Sequence, residues 1–175
     1  MFADPDNNLI QAKISPDDIV ADIGAGSGAY SVAAGRIIRG GRVYAIEVQK
    51  NLLSRIQAAA IEAGVSNIEV LWGDVEMPNG TKLRDESITF AILSNIFFQV
   101  EDRESFFREI NRVLRSGARV LLVDWSESCG GMGPDPLRVI KKETARHAFE
   151  SHGFIHDEDI HAGAHHYGMI FHKSS

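Results

Sequence analysis

Only one cysteine, Cys129, occurs in 175 residues, so an internal disulfide is excluded and a reducing, cytoplasmic setting is expected. No run of lysines or arginines breaks a chain whose net charge is −6, which disfavours nucleic acid as a partner. Apolar runs of the roughly 18 residues that span a bilayer are missing as well, so no membrane partner is expected. The opening MFADPDNNLI has no basic segment followed by a long apolar one and does not read as a secretory signal. No internal repeat, low-complexity tract or linker marks a second unit, so residues 1–175 read as one domain.

What is present is an alternation of apolar, β-branched runs with stretches of helical period. Ile19–Gly24, Arg42–Val48, Ile68–Asp74, Ile88–Phe97 and Ala118–Trp125 read as five strands. Helical spacing runs from Gly28 to Ile38, from Leu52 to Ala63 before the capping Gly64, and along Phe106, Ile110, Val113 and Leu114 behind Asp102 as N-cap. Near-continuous apolar strands alternating with amphipathic helices predict an α/β fold: a doubly wound, mostly parallel sheet covered on both faces. After Trp125 the rhythm changes to a Gly/Pro loop, a helix around Lys141–His152, and two strands near Phe154–His161 and Tyr167–His172. With no long helix between them, these should close a seven-stranded sheet as an antiparallel hairpin.

In such sheets ligands bind at the carboxyl ends of the strands, where strand order reverses. Asp22-Ile-Gly24-Ala-Gly26-Ser-Gly28 lies there, at the end of the first strand, where glycines allow close backbone approach to a ligand. Glu47 ends the second strand, placed to accept hydrogen bonds from a ribose diol, and Asp74 ends the third, where an acid can accept from an adenine amino group. A glycine-rich turn alone is shared by many nucleotide-binding proteins, and Gly24-x-Gly26-x-x-Ala29 also meets the relaxed dinucleotide fingerprint. Joint occurrence of acids at the ends of three successive strands carries more weight than any one of them.

The segment VADIGAGSG resembles the first motif of the Rossmann-like (class I) S-adenosylmethionine-dependent methyltransferases. AIEV is similar to their second-strand acid, WGDVEMP to their third-strand acid and loop, and LRSGARVLLVDW to the segment leading into their fifth strand. Order and spacing agree from about Ile19 to Trp125, most closely with the small enzymes of the ubiquinone and menaquinone biosynthesis group. Arg115-Ser116 departs from the usual Lys-Pro, at a helix-to-strand turn away from the chemistry. The resemblance implies a Rossmann-like fold, an S-adenosyl-L-methionine cofactor and methyl transfer to a small-molecule acceptor. It implies that Gly24, Gly26 and Gly28 form the turn around the methionine moiety and that Asp22 holds its ammonium. Glu47 would take the ribose hydroxyls, Asp74 the adenine N6 amino group with the Val75 N–H reaching the ring, and Asn95 the region near the methyl donor. Asp22 beside the turn suits a ligand carrying cationic ammonium and sulfonium groups better than a pyrophosphate.

Displacement on an activated sulfonium needs positioning and exclusion of water, no metal, and a base only where the acceptor must lose a proton. The candidates for such a base are Asp124 at the end of the fifth strand, His165 and His166. Phe97 and Phe98 stand near the expected methyl position, though packing of a strand-to-helix joint explains them as well. All seven histidines fall after residue 146, and the spacing of His161, His165 and His166 matches no metal motif. Glu127–Pro136 is a candidate lid, with Cys129 read as a bystander thiol. About 18 residues precede the first strand, little to enclose an acceptor. That leaves open a protein or RNA acceptor, a non-catalytic cofactor-binding module, a homodimer that supplies the cover, and, least favoured, an NAD-binding oxidoreductase.

Overall fold

In the computed structural model of the protein, which describes residues 3–129 and 133–175, strand β1 (Ile19–Ile23) lies near the middle of a single sheet. Its IVADI sequence is apolar towards both faces apart from Asp22, as a strand with helices above and below requires. β1 pairs in parallel with β2 (Arg42–Glu47) on one side and β4 (Ile88–Ser94) on the other. β3 (Ile68–Trp72) extends the sheet beyond β2, and β5 (Leu114–Trp125) lies in parallel beyond β4. β7 (His166–Lys173) then runs antiparallel to β5, and β6 (Phe154–Ile160) antiparallel to β7. The order β3-β2-β1-β4-β5-β7-β6 reverses between β1 and β4, the switch point at which such sheets bind ligands. The expected seven strands, parallel block and antiparallel C-terminal hairpin are all present.

Alternation along the strands divides the core. Val20, Val43, Phe90, Ile92, Leu121 and Val123 face α1 (Pro5–Gln11) and α2 (Ala29–Ile37), while Ile56 of α3 (Lys50–Glu62) packs on Ala25 and Ala45. On the opposite face, Ala91, Leu93, Val120, Leu122 and Met169 meet α4 (Arg103–Val113) and α5 (Lys142–Ser151). There Phe97, Phe106, Phe107 and Phe149 form one aromatic cluster with ring centroids 5.0–5.8 Å apart. Phe97 is therefore core, not part of a methyl-transfer site. The outer strand β6 carries Asp157, Glu158 and Asp159 and a register shift at His156/Glu158, features that keep an edge from pairing with another chain.

Three elements differ from the sequence expectation. The segment before β1, read only as too short to enclose an acceptor, holds a helix: Pro5 sits in the first turn of α1, and the Asp4 carboxylate accepts from the Asn7 N–H at 3.2 Å. Leu9 and Ala12 bury this segment against the α2 face. β4 stops at Ser94 because Asn95 takes a positive φ of 55°, and Phe97–Gln99 turn as a 3-10 helix. β5 begins at Leu114, since Ile88 of β4 pairs with it ahead of a register shift.

Candidate functional site

The carboxyl ends of β1 to β5 and the start of β7 border one cleft of ≈ 600 Å³, within the usual range for small-molecule sites. Gly24 and Gly26 form its floor with φ of 74° and 57°, angles open to glycine at little cost. Gly28, also positive in φ, does not line the cleft. It caps α2 and gives room to Ile56, whose Cγ2 would lie 3.1 Å from an added Cβ.

Asp22, Glu47 and Asp74 all line this cleft. Asp22 is 2% exposed, and Ser31 Oγ on the first turn of α2 donates to its Oδ2 at 2.5 Å. Burial raises the Asp22 carboxyl to about 7 against that hydrogen bond, with nearby Glu47 adding a smaller push upward. Glu47 accepts from the Gly26 N–H through Oε2 and from the Gln49 N–H through Oε1, both at 2.8 Å. It thus ties the glycine turn to the end of β2, and each carboxylate oxygen keeps a further lone pair for a ligand. Asp74 Oδ1 accepts from the Glu76 N–H at 3.0 Å, which holds the short loop after β3 in a turn. Val75 follows within that loop, buried and on the cleft wall.

Beyond the switch point the lining changes character. Asn95, Ile96, Gln99, Val100, Trp125 and His166 border this end. The Asn95 Oδ1 is buried without a partner, while its backbone oxygen accepts from Gln99 Nε2 at 2.7 Å. His166 is 8% exposed and packs on Trp125 at 4.2 Å between centroids, and neither ring nitrogen has a hydrogen-bond partner. Burial, helped by His165, lowers its pKa.

Of the other candidate bases, Asp124 is 1% exposed and outside the cleft lining, its oxygens accepting from the Phe98 and Trp125 N–H groups. Burial still raises it to about 6 against the pull of the Trp125, Phe98 and Phe97 N–H groups. His165 turns to Glu127 at 2.9 Å, and His161 hydrogen-bonds through its backbone to Gln11. Among the described residues no group of three or more His, Cys, Asp or Glu side chains converges to hold a metal. Cys129 does not line the cleft, and the centre of the expected lid, residues 130–132, lies outside the described residues.

The sequence did not point to Tyr30, Ser94 or the N-terminal segment as parts of the site. Ala3 and Pro5 border the cleft, and Asn8 of α1 donates to the Tyr30 hydroxyl at 2.7 Å. The segment before β1 therefore does contribute a wall. Its only local signal was an Asp4-Pro5 start typical of a helix N-terminus.

Residues 21–122, more than half of the chain, match the family model described as a methyltransferase domain. A probable cobalt-precorrin-6B C(15)-methyltransferase (decarboxylating) of Methanosarcina acetivorans is 31% identical over 49% of this chain and 47% of its own length. An arsenite methyltransferase of Halobacterium salinarum is 25% identical over 65% of this chain and 28% of its own. The chain thus spans half or less of these curated relatives. A solved SAM-dependent methyltransferase from Aquifex aeolicus shares the fold at a TM-score of 0.88 and 23% identity, over 98% of this chain and 90% of that one.

Proposed function

The chain belongs to the methyltransferase-domain family, whose cofactor is S-adenosylmethionine, and from that premise we propose that residues 1–175 form one domain that methylates a small-molecule acceptor. The carrying observation is the convergence of Asp22, Glu47 and Asp74, from three neighbouring strands, on one glycine-floored cleft. The donor set fits the cofactor: the described lining holds Asp22, Glu47, Asp74 and Glu76 and no lysine or arginine. Such a site suits ammonium and sulfonium charges and would repel a pyrophosphate, so the dinucleotide alternative is not favoured. Bound there, the cofactor supplies a methyl group already activated on a sulfonium.

In this reading Asp22 holds the ammonium, Glu47 the ribose hydroxyls and Asp74 the adenine amino group, with the Val75 N–H at the ring. Gly24 and Gly26 pass beneath the methionine portion, and Asn95 Oδ1 offers an acceptor near the methyl donor. Methyl transfer then rests on alignment and exclusion of water. Two of the curated relatives, named for a cobalt-precorrin and for arsenite, support a small-molecule acceptor, whereas a third, from Pelotomaculum thermopropionicum and 36% identical over 39% of this chain, is named for ribosomal RNA. No helix among the described residues is long and apolar enough to cross a membrane, and we read the working site as cytoplasmic.

Calorimetric titration with S-adenosylhomocysteine tests the assignment. Asp74→Ala removes one charge-assisted hydrogen bond and should weaken binding roughly tenfold to a hundredfold. Undiminished affinity in that variant would remove adenine recognition from β3.

Asp22 adds a pH signature. With its pKa raised to about 7, the free protein holds this carboxyl protonated at lower pH, and an ammonium placed against it draws the proton off. Affinity for S-adenosylhomocysteine should therefore rise up to about tenfold per pH unit below 7 and level off above it. Titrations in buffers of different ionisation enthalpy should show a proton released at pH 6, and none in Asp22→Asn. A pH-independent wild-type affinity would separate Asp22 from the ammonium.

A further inference from the structure

Two halves of the cleft differ in chemistry. The β1–β3 half carries the acids and glycines, whereas the β4–β5–β7 half presents Ser94, Asn95, Ile96, Gln99, Val100, Trp125 and His166, with no charged side chain of its own among the described lining residues. β7 lies three strands from β1, about 14 Å across the sheet at ordinary strand spacing. A cofactor anchored on β1 to β3 leaves this end for the acceptor. Among the described lining residues of this end, His166 is the one group that can take a proton near neutrality. Its imidazole is more than nine-tenths buried, it lines the cleft, and both ring nitrogens lack partners. Buried imidazoles ordinarily find partners, so a pair of unmatched nitrogens at a cleft wall points to a ligand.

Building on the cofactor reading above, we propose that His166 is the general base for an uncharged acceptor bearing a phenol- or enol-type hydroxyl. The absence of a lysine or arginine in the described lining disfavours carboxylate or phosphate acceptors, and the one lining carboxylate that reaches this half, Glu76, is already engaged by the Glu101 and Asp102 N–H groups, which disfavours a cationic amine. A thiol, with pKa near 8.5, already supplies a few per cent of a strongly nucleophilic thiolate at neutral pH and gains less from a base, and an alkanol is too weak an acid for imidazole. A phenolic hydroxyl, near 10, lies where a histidine base helps most. Ile96, Val100 and Trp125 give apolar walls for such a ring.

In the step, the acceptor oxygen bonds to the methyl carbon while its O–H proton passes to a ring nitrogen of His166. The carbon–sulfur bond breaks with its electron pair left on sulfur, giving a neutral thioether, and the imidazolium returns the proton to solvent. Among the titratable groups of this region, His165 acts on His166 directly and is itself held by Glu127, Tyr167 follows along β7 opposite Asp124, and Asp22 and Tyr30 line the same cleft. The lowered pKa keeps the imidazole in its base form at neutral pH.

The test uses labelled S-adenosylmethionine with two probes: catechol, which stays protonated at neutral pH, and 4-nitrophenol, which ionises near neutrality unaided. His166→Gln should slow transfer to catechol about a hundredfold and to 4-nitrophenol less than tenfold. S-adenosylhomocysteine affinity should be unchanged, and catechol titrated into the S-adenosylhomocysteine complex should bind severalfold more weakly. Equal losses for both probes, or no loss for catechol, would overturn the base assignment. Wild-type protein that binds S-adenosylhomocysteine yet methylates neither probe would overturn the hydroxyl class, whereas failure to bind S-adenosylhomocysteine would strike the cofactor reading itself.

Discussion

Replacing Glu109 by alanine is expected to destabilise the protein by about 3–5 kcal/mol, the cost typical of breaking a buried ion pair from one side. For a chain of this size that corresponds to a fall in Tm of roughly 10 °C. Glu109 is on α4, 3% exposed, and every lone pair it can use is directed at the loop after β3 or at Arg112. The Thr81 hydroxyl donates to Oε1 at 2.6 Å, the Thr81 N–H at 3.0 Å, and the Asn79 N–H to Oε2 at 3.1 Å. Arg112 closes the other side through Nε and a terminal nitrogen at 2.9 and 2.7 Å. Alanine would leave two buried Thr81 donors unmatched and strip Arg112 of its bonds at Nε and one terminal nitrogen, leaving the guanidinium only the Leu83 carbonyl and the exposed Asp85 as strong acceptors on the other. The consequence reaches the cleft, because the Gly80 carbonyl beside Thr81 accepts from the Asp74 N–H at 3.1 Å.

The sign of the pH dependence follows. Burial pushes the Glu109 pKa up, but the hydrogen bonds from Arg112 and Thr81 outweigh it and set it below its ordinary 4.5. Its stabilisation is therefore fully present above pH 4.5 and fades as pH falls through the lower folded-state value. Urea titrations between pH 3 and 7 should show a steeper acid loss in the wild type than in Glu109→Gln. Parallel curves would mean that Glu109 does not act as an ionised anchor.

This anchor also marks where the sequence stopped being informative. β1, β2 and β4 were legible because strands covered on both faces carry unbroken apolar runs such as AIL and VYAI. Asp22, Glu47 and Asp74 were legible because strand ends can be located from those runs. Glu109 was not, since on a helix of charged residues it looks like any solvated acid with Arg112 one turn on, and the loop donors it holds lie 28 to 30 positions earlier. β4 was extended to Phe97 because Ile96, Phe97 and Phe98 continue its apolar run, although Asn95 turns the backbone out of the sheet. For His166 the residue could be named, but the missing partners could not. They depend on the antiparallel register that sets His166 opposite Trp125.

Glu47→Ala should lower affinity for S-adenosylhomocysteine about a thousandfold, near 4 kcal/mol. Two effects combine. A vicinal diol bound to one carboxylate loses two charge-assisted hydrogen bonds, each worth about 1.5–3 kcal/mol. The same change frees the Gly26 and Gln49 N–H groups that Glu47 holds at 2.8 Å, so the glycine turn loses its tie to β2 before any ligand arrives. Glu47→Gln separates the two, because one amide oxygen can still accept while the amide nitrogen cannot receive the second donor. It should fall between wild type and alanine in affinity. A 2′-deoxy analogue of S-adenosylhomocysteine supplies the complementary arm, removing one diol hydroxyl without touching the turn. Wild type should bind that analogue at least tenfold more weakly than the parent compound, and Glu47→Ala should scarcely distinguish the two. If instead the alanine variant discriminated between them as strongly as the wild type does, Glu47 would be a brace for the glycine turn and the ribose would be held by some other residue.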